Sequence, residues 1–542
     1  MRRFSSYGPV DKDINYYAPR KELVEKAYVQ LMGEYPEHTG HYITVWAPRQ
    51  AGKSWTMREI LWRLQEDQKF DVLKINLEHL KRAKNTAAVI KSIGREILKK
   101  LAKKHITTDT QEKFQSIFEK DFLTKPLILI LDEFDALSKE AIATIVETFR
   151  NIYNVIKDQK ERVSVKKDYL LHGVALIGVR SVLGVENKQG SPFNVQRSLH
   201  IPNFTYQEVE TMYRWYEKES GRKIDKQVID SIYYEFRGQP GLTCWFGELL
   251  SQGWEILEDP PTGPVTMNSF DDAYTAATCI LPNANVLNII NKADEEGYRD
   301  VVLEFFRTQE KVRFNYDDPK LNYLYMNGVI DREEVYEEKK GALKKNYYVR
   351  FSSPFIQKRL FNYFAREIFR HIGKIFDPFE DMEEIEEAMT DTDLDIRGIM
   401  RLYSRYLLKN RNWLLKDVPR RSDLRIYEAV FHFNLYRYLY EFLPQRYASV
   451  IPEFPTGNGK IDIIIRYADK VYGLELKSYT NRKGYKDALD QASDYGKELG
   501  LKEISLIFFV EKIDDKNRER FESDYFDERG VKVMPVFVET GS

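Results

Sequence analysis

The chain has 542 residues, which at ~150 residues per domain leaves room for about three or four domains. Its 43% hydrophobic and 31% charged residues exclude a disordered tail, and 83 basic against 84 acidic side chains make any basic surface a local one. Two cysteines, Cys244 and Cys279, exclude a disulfide scaffold and a four-thiolate zinc site and fit a reducing compartment.

The longest apolar runs, 126–131 and 170–179, fall far short of the ~20 residues that cross a bilayer. The basic start MRRFSSYGPVDKD has no apolar stretch behind it. The expectation is a cytoplasmic protein without membrane contact. Tyrosine is abundant, at 35 residues, and serves either core packing or base stacking.

In chain order, YITVWA (42–47) reads as a strand, followed by a glycine-containing loop and a helix from Trp55 to about Gln65. DVLKIN (71–76) reads as a second strand and 86–104 as a basic helix. The unbroken run PLILIL (126–131) suits a parallel sheet covered on both faces. A helix over 140–155 and a strand over 170–179 follow, and strands alternating with helices imply right-handed crossovers. From 205 to 250 the pattern is helical, broken by GQPG (238–241), and 254–267 carries three prolines like a linker. Residues 284–372 mix helices with short strands in a pattern compatible with a winged helix. An acidic stretch, 377–395, precedes further helices. A strand-rich region (446–477), a helix (485–499) and strands at 503–510 and 531–538 complete a separate α/β unit.

Residues 47–54, APRQAGKS, fit the phosphate-binding pattern G-x-x-x-x-G-K-[ST] with Ala47 in place of the first glycine. Arg49, Gln50, Ala51 and Gly52 supply backbone N–H groups, Lys53 reaches the outer phosphates and Ser54 is placed to ligate Mg²⁺. The strand LILILDE ends in two carboxylates: Asp132 to hold the Mg²⁺ shell, Glu133 to orient or deprotonate water. Taken alone, that pair is also an ordinary charge pair at a strand end.

With YGPVDKDINYYAPR, APRQAGKS, LDEFD, SPFNVQRSLHIPNF and GQPG in hand, the segment from Tyr7 to about Leu250 resembles the AAA-like P-loop ATPases of prokaryotes, near the STAND and archaeal ATPase groups. The resemblance implies ATP as ligand, an N-terminal segment packed near it, and a lid helix placed by GQPG. A plain helix-terminating turn is the other reading of GQPG. Arg180 and Arg197 stand where an arginine could reach the γ-phosphate, and neither is assigned that role.

In GKIDIIIRYADKVYGLELK (459–477), two strands meet at a turn over 468–470, and period two puts Glu475 and Lys477 on one face, with Asp462 within reach. Two carboxylates there could hold Mg²⁺ beside a lysine, or form a solvent-facing charged ladder. Adding Glu428 on an upstream helix and Gln491 with Tyr495 on a downstream one, residues 423–510 look like the PD-(D/E)XK nuclease superfamily, with Ile461 where the motif has proline. The resemblance implies Glu428, Asp462 and Glu475 as the acidic set, Mg²⁺ or Mn²⁺ on Asp462 and Glu475, Lys477 as catalytic lysine and Gln491 as a phosphate contact.

The whole is expected to be a multidomain α/β protein. A P-loop parallel-sheet ATPase with helical lid spans 1–255, a winged-helix region 270–375, a helical, acidic connector 376–422 and a restriction-endonuclease-like domain 423–542. Its expected partner is nucleic acid, DNA before RNA, with a homo-oligomer as a further possibility. The alternative is an ATPase switch, scaffold or motor whose nuclease-like domain binds nucleic acid without cutting it.

Overall fold

The computed structural model describes residues 1–8, 10–83, 85–103, 106–159, 161–178, 197–254, 261–307, 311–339, 342–368, 388–414, 428–443, 448–452, 462–468, 470–479, 482–498, 501–526 and 530–541. They fall into two compact units, one of residues 1–289 and 315–330, the other of 290–314 and 331–542.

The first unit opens with α1 (Lys21–Met32), β1 (Tyr42–Trp46), α2 (Lys53–Glu66), β2 (Asp71–Asn76), α3 (Thr86–Lys100), α4 (Gln111–Ser116), β3 (Leu127–Asp132), α5 (Lys139–Asp158), β4 (Leu171–Gly178) and β5 (Arg197–His200). The strands form one parallel sheet in the order β2-β3-β4-β1-β5. β3 lies inside it and is buried along its whole length. Alternation divides its side chains between two cores. Leu127, Leu129 and Leu131 pack toward α3, α4 and α5, while Ile128 and Ile130 pack toward α1 and α2. That explains why an unbroken apolar run is a strand here.

Boundaries differ from the sequence expectation for local reasons. α2 starts at Lys53 rather than Trp55, because Gly52 takes the left-handed conformation that caps it. α3 stops at Lys100, short of residue 104, where Ala102 turns left-handed (φ 53°).

Three helices follow: α6 (Tyr206–Ser220), started by a Thr205–Glu208 capping box, α7 (Lys226–Phe236) and α8 (Pro240–Gln252). The N-terminal arm is laced to them. Phe4, 1% exposed, sits 4.8–5.6 Å from the rings of Tyr16, Tyr213 and Tyr216, over Gly247 of α8. Arg2 and the Tyr16 hydroxyl bond Glu219, and Ser6 donates twice to Glu248. Phe4→Ala is expected to lower stability by about 3–5 kcal/mol in chemical denaturation and to raise amide exchange in α6 and α8. A loss under about 1 kcal/mol would show that the ring is not part of that core.

Beyond these run α9 (Met267–Cys279), α10 (Ala284–Ala293), α11 (Arg299–Arg307) and α12 (Pro319–Met326). Next come the two-stranded hairpin β6 (Ile330–Lys339) and β7 (Ala342–Phe351), and α13 (Pro354–Ile368). Of the acidic stretch 377–395, residues 377–387 lie outside the described residues, and Met389 and Leu394 form a short bridge.

The second unit contains α14 (Ile396–Leu414), α15 (Glu428–Phe442), β8 (Ser449–Pro452), β9 (Ile463–Tyr467), β10 (Lys470–Ser478), α16 (Arg482–Glu498), β11 (Glu503–Val510), α17 (Asp515–Phe521), β12 (Tyr525–Phe526) and β13 (Lys532–Glu539). Its six strands are ordered β12-β13-β11-β10-β9-β8. β8, β9 and β10 are antiparallel, and β10, β11 and β13 parallel. α16 covers one face through Ala488, Leu489, Ala492 and Tyr495 against Leu506, Phe508 and Phe537. Among the described residues no helix is long and apolar enough to cross a membrane.

Candidate functional sites

The loop between β1 and α2 is shaped by two left-handed residues, Gln50 (φ 53°) and Gly52 (φ 84°). Nothing lies within 4 Å of where a Gly52 side chain would start, so backbone conformation alone calls for glycine there. Such turns aim successive N–H groups at one point, in front of the positive end of α2. Ala47, in place of glycine, is buried in the core shared by α1, α2 and the sheet, and its carbonyl accepts from Lys53. Lys53 is 8% exposed, and its Nζ donates to the Ala47 and Pro48 carbonyls at 2.8 and 2.9 Å. Burial pulls its pKa down, while Glu133, Asp135 and Asp132 oppose that shift. Ser54 is exposed in the first turn of α2.

Opposite stands the end of β3. Asp132, 3% exposed, accepts from the Glu133 N–H (3.1 Å) on Oδ1 and pairs through Oδ2 with Lys74 of β2 (2.7 Å). Glu133 is left-handed (φ 56°). Burial raises its pKa, with Asp135 adding to the effect. A side chain at Gly178 would lie 2.8 Å from Asp135 Oδ1, so the end of β4 is held close to Asp135. The residues expected from sequence therefore converge: Lys53, Asp132 and Glu133 feel one another's charge.

GQPG acts both as a cap and as a contact. Gln239 Oε1 caps α8 by accepting from Leu242 N at 2.5 Å, and its Nε2 donates to the Arg49 carbonyl at 3.0 Å. Gly241 N donates to the Gln50 carbonyl at 3.0 Å. The start of α8 is thus bonded to the phosphate loop. Arg180 and the side chain of Arg197 lie outside the described residues.

In the second unit, Asp462 stands immediately before β9 and its Oδ2 accepts from Leu476 N at 2.6 Å. On β10, Glu475 is 1% exposed and its Oε1 pairs with Lys477 Nζ at 2.9 Å, on the same face as expected from period two. The His432 ring (Nε2) meets the Asp462 carbonyl at 3.1 Å, a neighbour that no histidine spacing in the sequence announces. Gln491 donates to the Tyr495 hydroxyl. Burial raises the pKa of Tyr495; Gln491 and Lys477 oppose this, and Glu475 and Asp462 add to it. A cleft of about 660 Å³ beside it is lined by Asp487, Asp490, Gln491, Asp494, Tyr495 and Lys497. Among the described residues no three His, Cys, Asp or Glu side chains are grouped to hold a metal ion. The Glu428 side chain and Ile461 lie outside the described residues.

Residues 37–166 match the family described as AAA domain. With the sheet, the phosphate loop and the Asp132–Glu133 pair in place, the first unit contains an AAA-type P-loop ATPase domain. No curated protein matches the chain. Among solved structures, the Walker-type ATPase of Pyrococcus abyssi is similar at 13% identity and a TM-score of 0.43, covering 66% of this chain and 99% of that one. The Orc1 protein of Aeropyrum pernix, solved in complex with DNA, is similar at 16% identity and a TM-score of 0.33, covering 66% and 97%. The Thermotoga maritima RuvB Holliday junction branch migration motor is similar at 14% identity and a TM-score of 0.29, covering 58% and 90%.

Proposed function

We propose that the AAA-type domain binds and hydrolyses ATP with Mg²⁺ and thereby controls a metal-dependent nuclease domain, residues 423–542, that cleaves nucleic acid, DNA before RNA, in defence against mobile elements. The observation that carries the nuclease reading is that Asp462 and Glu475 are both buried, Asp462 bonded to the Leu476 N–H next to Glu475 and Lys477 bonded to Glu475. Two carboxylates this deeply buried carry a large desolvation cost, which a cation between them would offset.

In the ATPase, Arg49–Ser54 cradle the phosphates, Ser54 and Asp132 hold the Mg²⁺ shell, and Glu133 takes the proton of the attacking water. Its raised pKa suits it to that role. In the nuclease, Asp462 and Glu475 would hold Mg²⁺ or Mn²⁺, which would offset the charge of the scissile phosphate. Lys477 positions the water, Gln491 contacts phosphate, and Glu428 completes the acidic set. The domain plan 1–255, 270–375, 376–422 and 423–542 belongs to this proposal, as do a cytoplasmic location and a homo-oligomeric state.

Glu133→Gln is expected to keep ATP binding and slow turnover by about 10²–10⁴-fold, measured as phosphate release beside labelled-nucleotide binding. The nuclease test is cleavage of plasmid, linear and single-stranded DNA and of RNA, in Mg²⁺ or Mn²⁺, with and without ATP. Lys477→Ala is expected to reduce cutting by about 10²-fold or more, and dependence on Lys53 would show ATP control. Binding of nucleic acid without cutting under every condition would replace the nuclease with a scaffold.

A further inference from the structure

Lys74 lies on β2, whose Leu73 and Ile75 enter the core on the α3 side of the sheet. Alternation places Lys74 on the other face, shared with Val72 and with Ile128 and Ile130 of β3, against α1 and α2. From there its ammonium reaches Asp132 Oδ2 at 2.7 Å. Asp132 has no spare water-facing edge: its side chain is 4% exposed, and Oδ1 already accepts the Glu133 N–H. Of these two bonds, the backbone one is fixed by the strand end. The lysine, 21% exposed and on a flexible stem, is the one that can move.

The pairing sits among further carboxylates. Asp132, Glu133, Asp135 and Glu78 gather here, and Lys53 is committed to the Ala47 and Pro48 carbonyls. Without Lys74, Asp132 would be a buried carboxylate with no cation in contact.

We propose that Lys74 is a positioning residue that neutralises Asp132 until the metal–nucleotide complex arrives and then yields its place on Oδ2, so that it sets the Mg²⁺ concentration at which nucleotide is held. This rests on the reading of Asp132 as the residue of the Mg²⁺ shell.

The test uses the full chain and a fluorescent, non-hydrolysable ATP analogue titrated at fixed free Mg²⁺ levels, with thermal unfolding in parallel. Lys74→Met is expected to lower the half-saturating Mg²⁺ about fivefold, the scale of one lost competing ion pair. It is also expected to melt earlier without metal and to gain more from Mg²⁺ and nucleotide than the wild type does. Lys74→Arg should restore both values. An unchanged or higher Mg²⁺ requirement in Lys74→Met, with Mg²⁺ dependence abolished in Asp132→Asn, would overturn the proposal and leave the ATP-site reading intact. Unaltered Mg²⁺ dependence in Asp132→Asn would overturn both.

Discussion

Lys53→Ala is expected to cut ATP turnover at least about 10²-fold and to weaken nucleotide binding, with secondary structure retained. The side chain is buried between the Ala47 and Pro48 carbonyls and near the charges of Glu133, Asp135 and Asp132. Burial pulls its pKa down and those carboxylates oppose the shift, and the amine is held beside a cradle of N–H groups. A polyphosphate entering there gives the ammonium a stronger acceptor than either carbonyl. Truncation removes that charge and leaves two carbonyls short of a donor, a stability loss of about 1–3 kcal/mol. Phosphate release, labelled-nucleotide titration and thermal unfolding on the same preparation separate the two effects. Turnover within tenfold of wild type would remove Lys53 from the phosphate site.

The second large effect is expected at Gly238. This residue is left-handed (φ 67°), and an added Cβ would lie 2.0 Å from the Phe204 carbonyl oxygen, a backbone atom that cannot swing away. The Gly238 carbonyl also accepts from Phe204 N at 2.8 Å, which fixes the spacing from both sides. Gly238→Ala therefore combines backbone strain with overlap, about 4 kcal/mol in sum. Its consequence reaches the ATP site: Gln239 and Gly241 hold the Arg49 and Gln50 carbonyls, so a displaced turn withdraws two bonds from the phosphate loop. Nucleotide affinity should fall along with stability. Gly221→Ala is the control: its φ is 74° and nothing lies within 4 Å of the new methyl, so it should cost about 1 kcal/mol and leave affinity unchanged. Equal losses in the two variants would mean that the GQPG turn is an ordinary helix junction.

Some of this was open to reading in the residues alone, because the information is local. LILILD declares a two-sided strand by lacking polar alternation, and GKS after a strand and before a helix declares a phosphate loop. The Glu475–Lys477 pair follows from period two on one strand. What escaped reading is nonlocal. β5 offers only RSLH, with no apolar run, and is a strand because β1 supplies its partners from Ile43 to Trp46. Lys74 looks like any lysine on an edge strand until register brings Asn76 opposite Asp132 and puts its amine within reach of the carboxylate. His432 meets Asp462 at both its backbone carbonyl (3.1 Å) and its carboxylate (3.7 Å), a contact between α15 and the start of β9 made by residues 30 apart in sequence. The start of α2 differs for another reason: apolar periodicity begins at Trp55, but the backbone turns at Gly52.

The lacing of the N-terminal arm also imposes an order on synthesis. Ser6 and its partner Glu248 are 242 residues apart. At about 5–20 residues per second, roughly ten to fifty seconds separate their emergence from the ribosome. Through most of that interval Phe4 has neither α6 nor α8 to cover it, and once β4 is out the β1–β4 strands can pair before either helix is complete. Seating the arm is therefore a late event that reports completion of α6 and α8, and a nascent chain stalled before α6 would carry its β1–β4 strands with its N-terminal aromatic residues still in water.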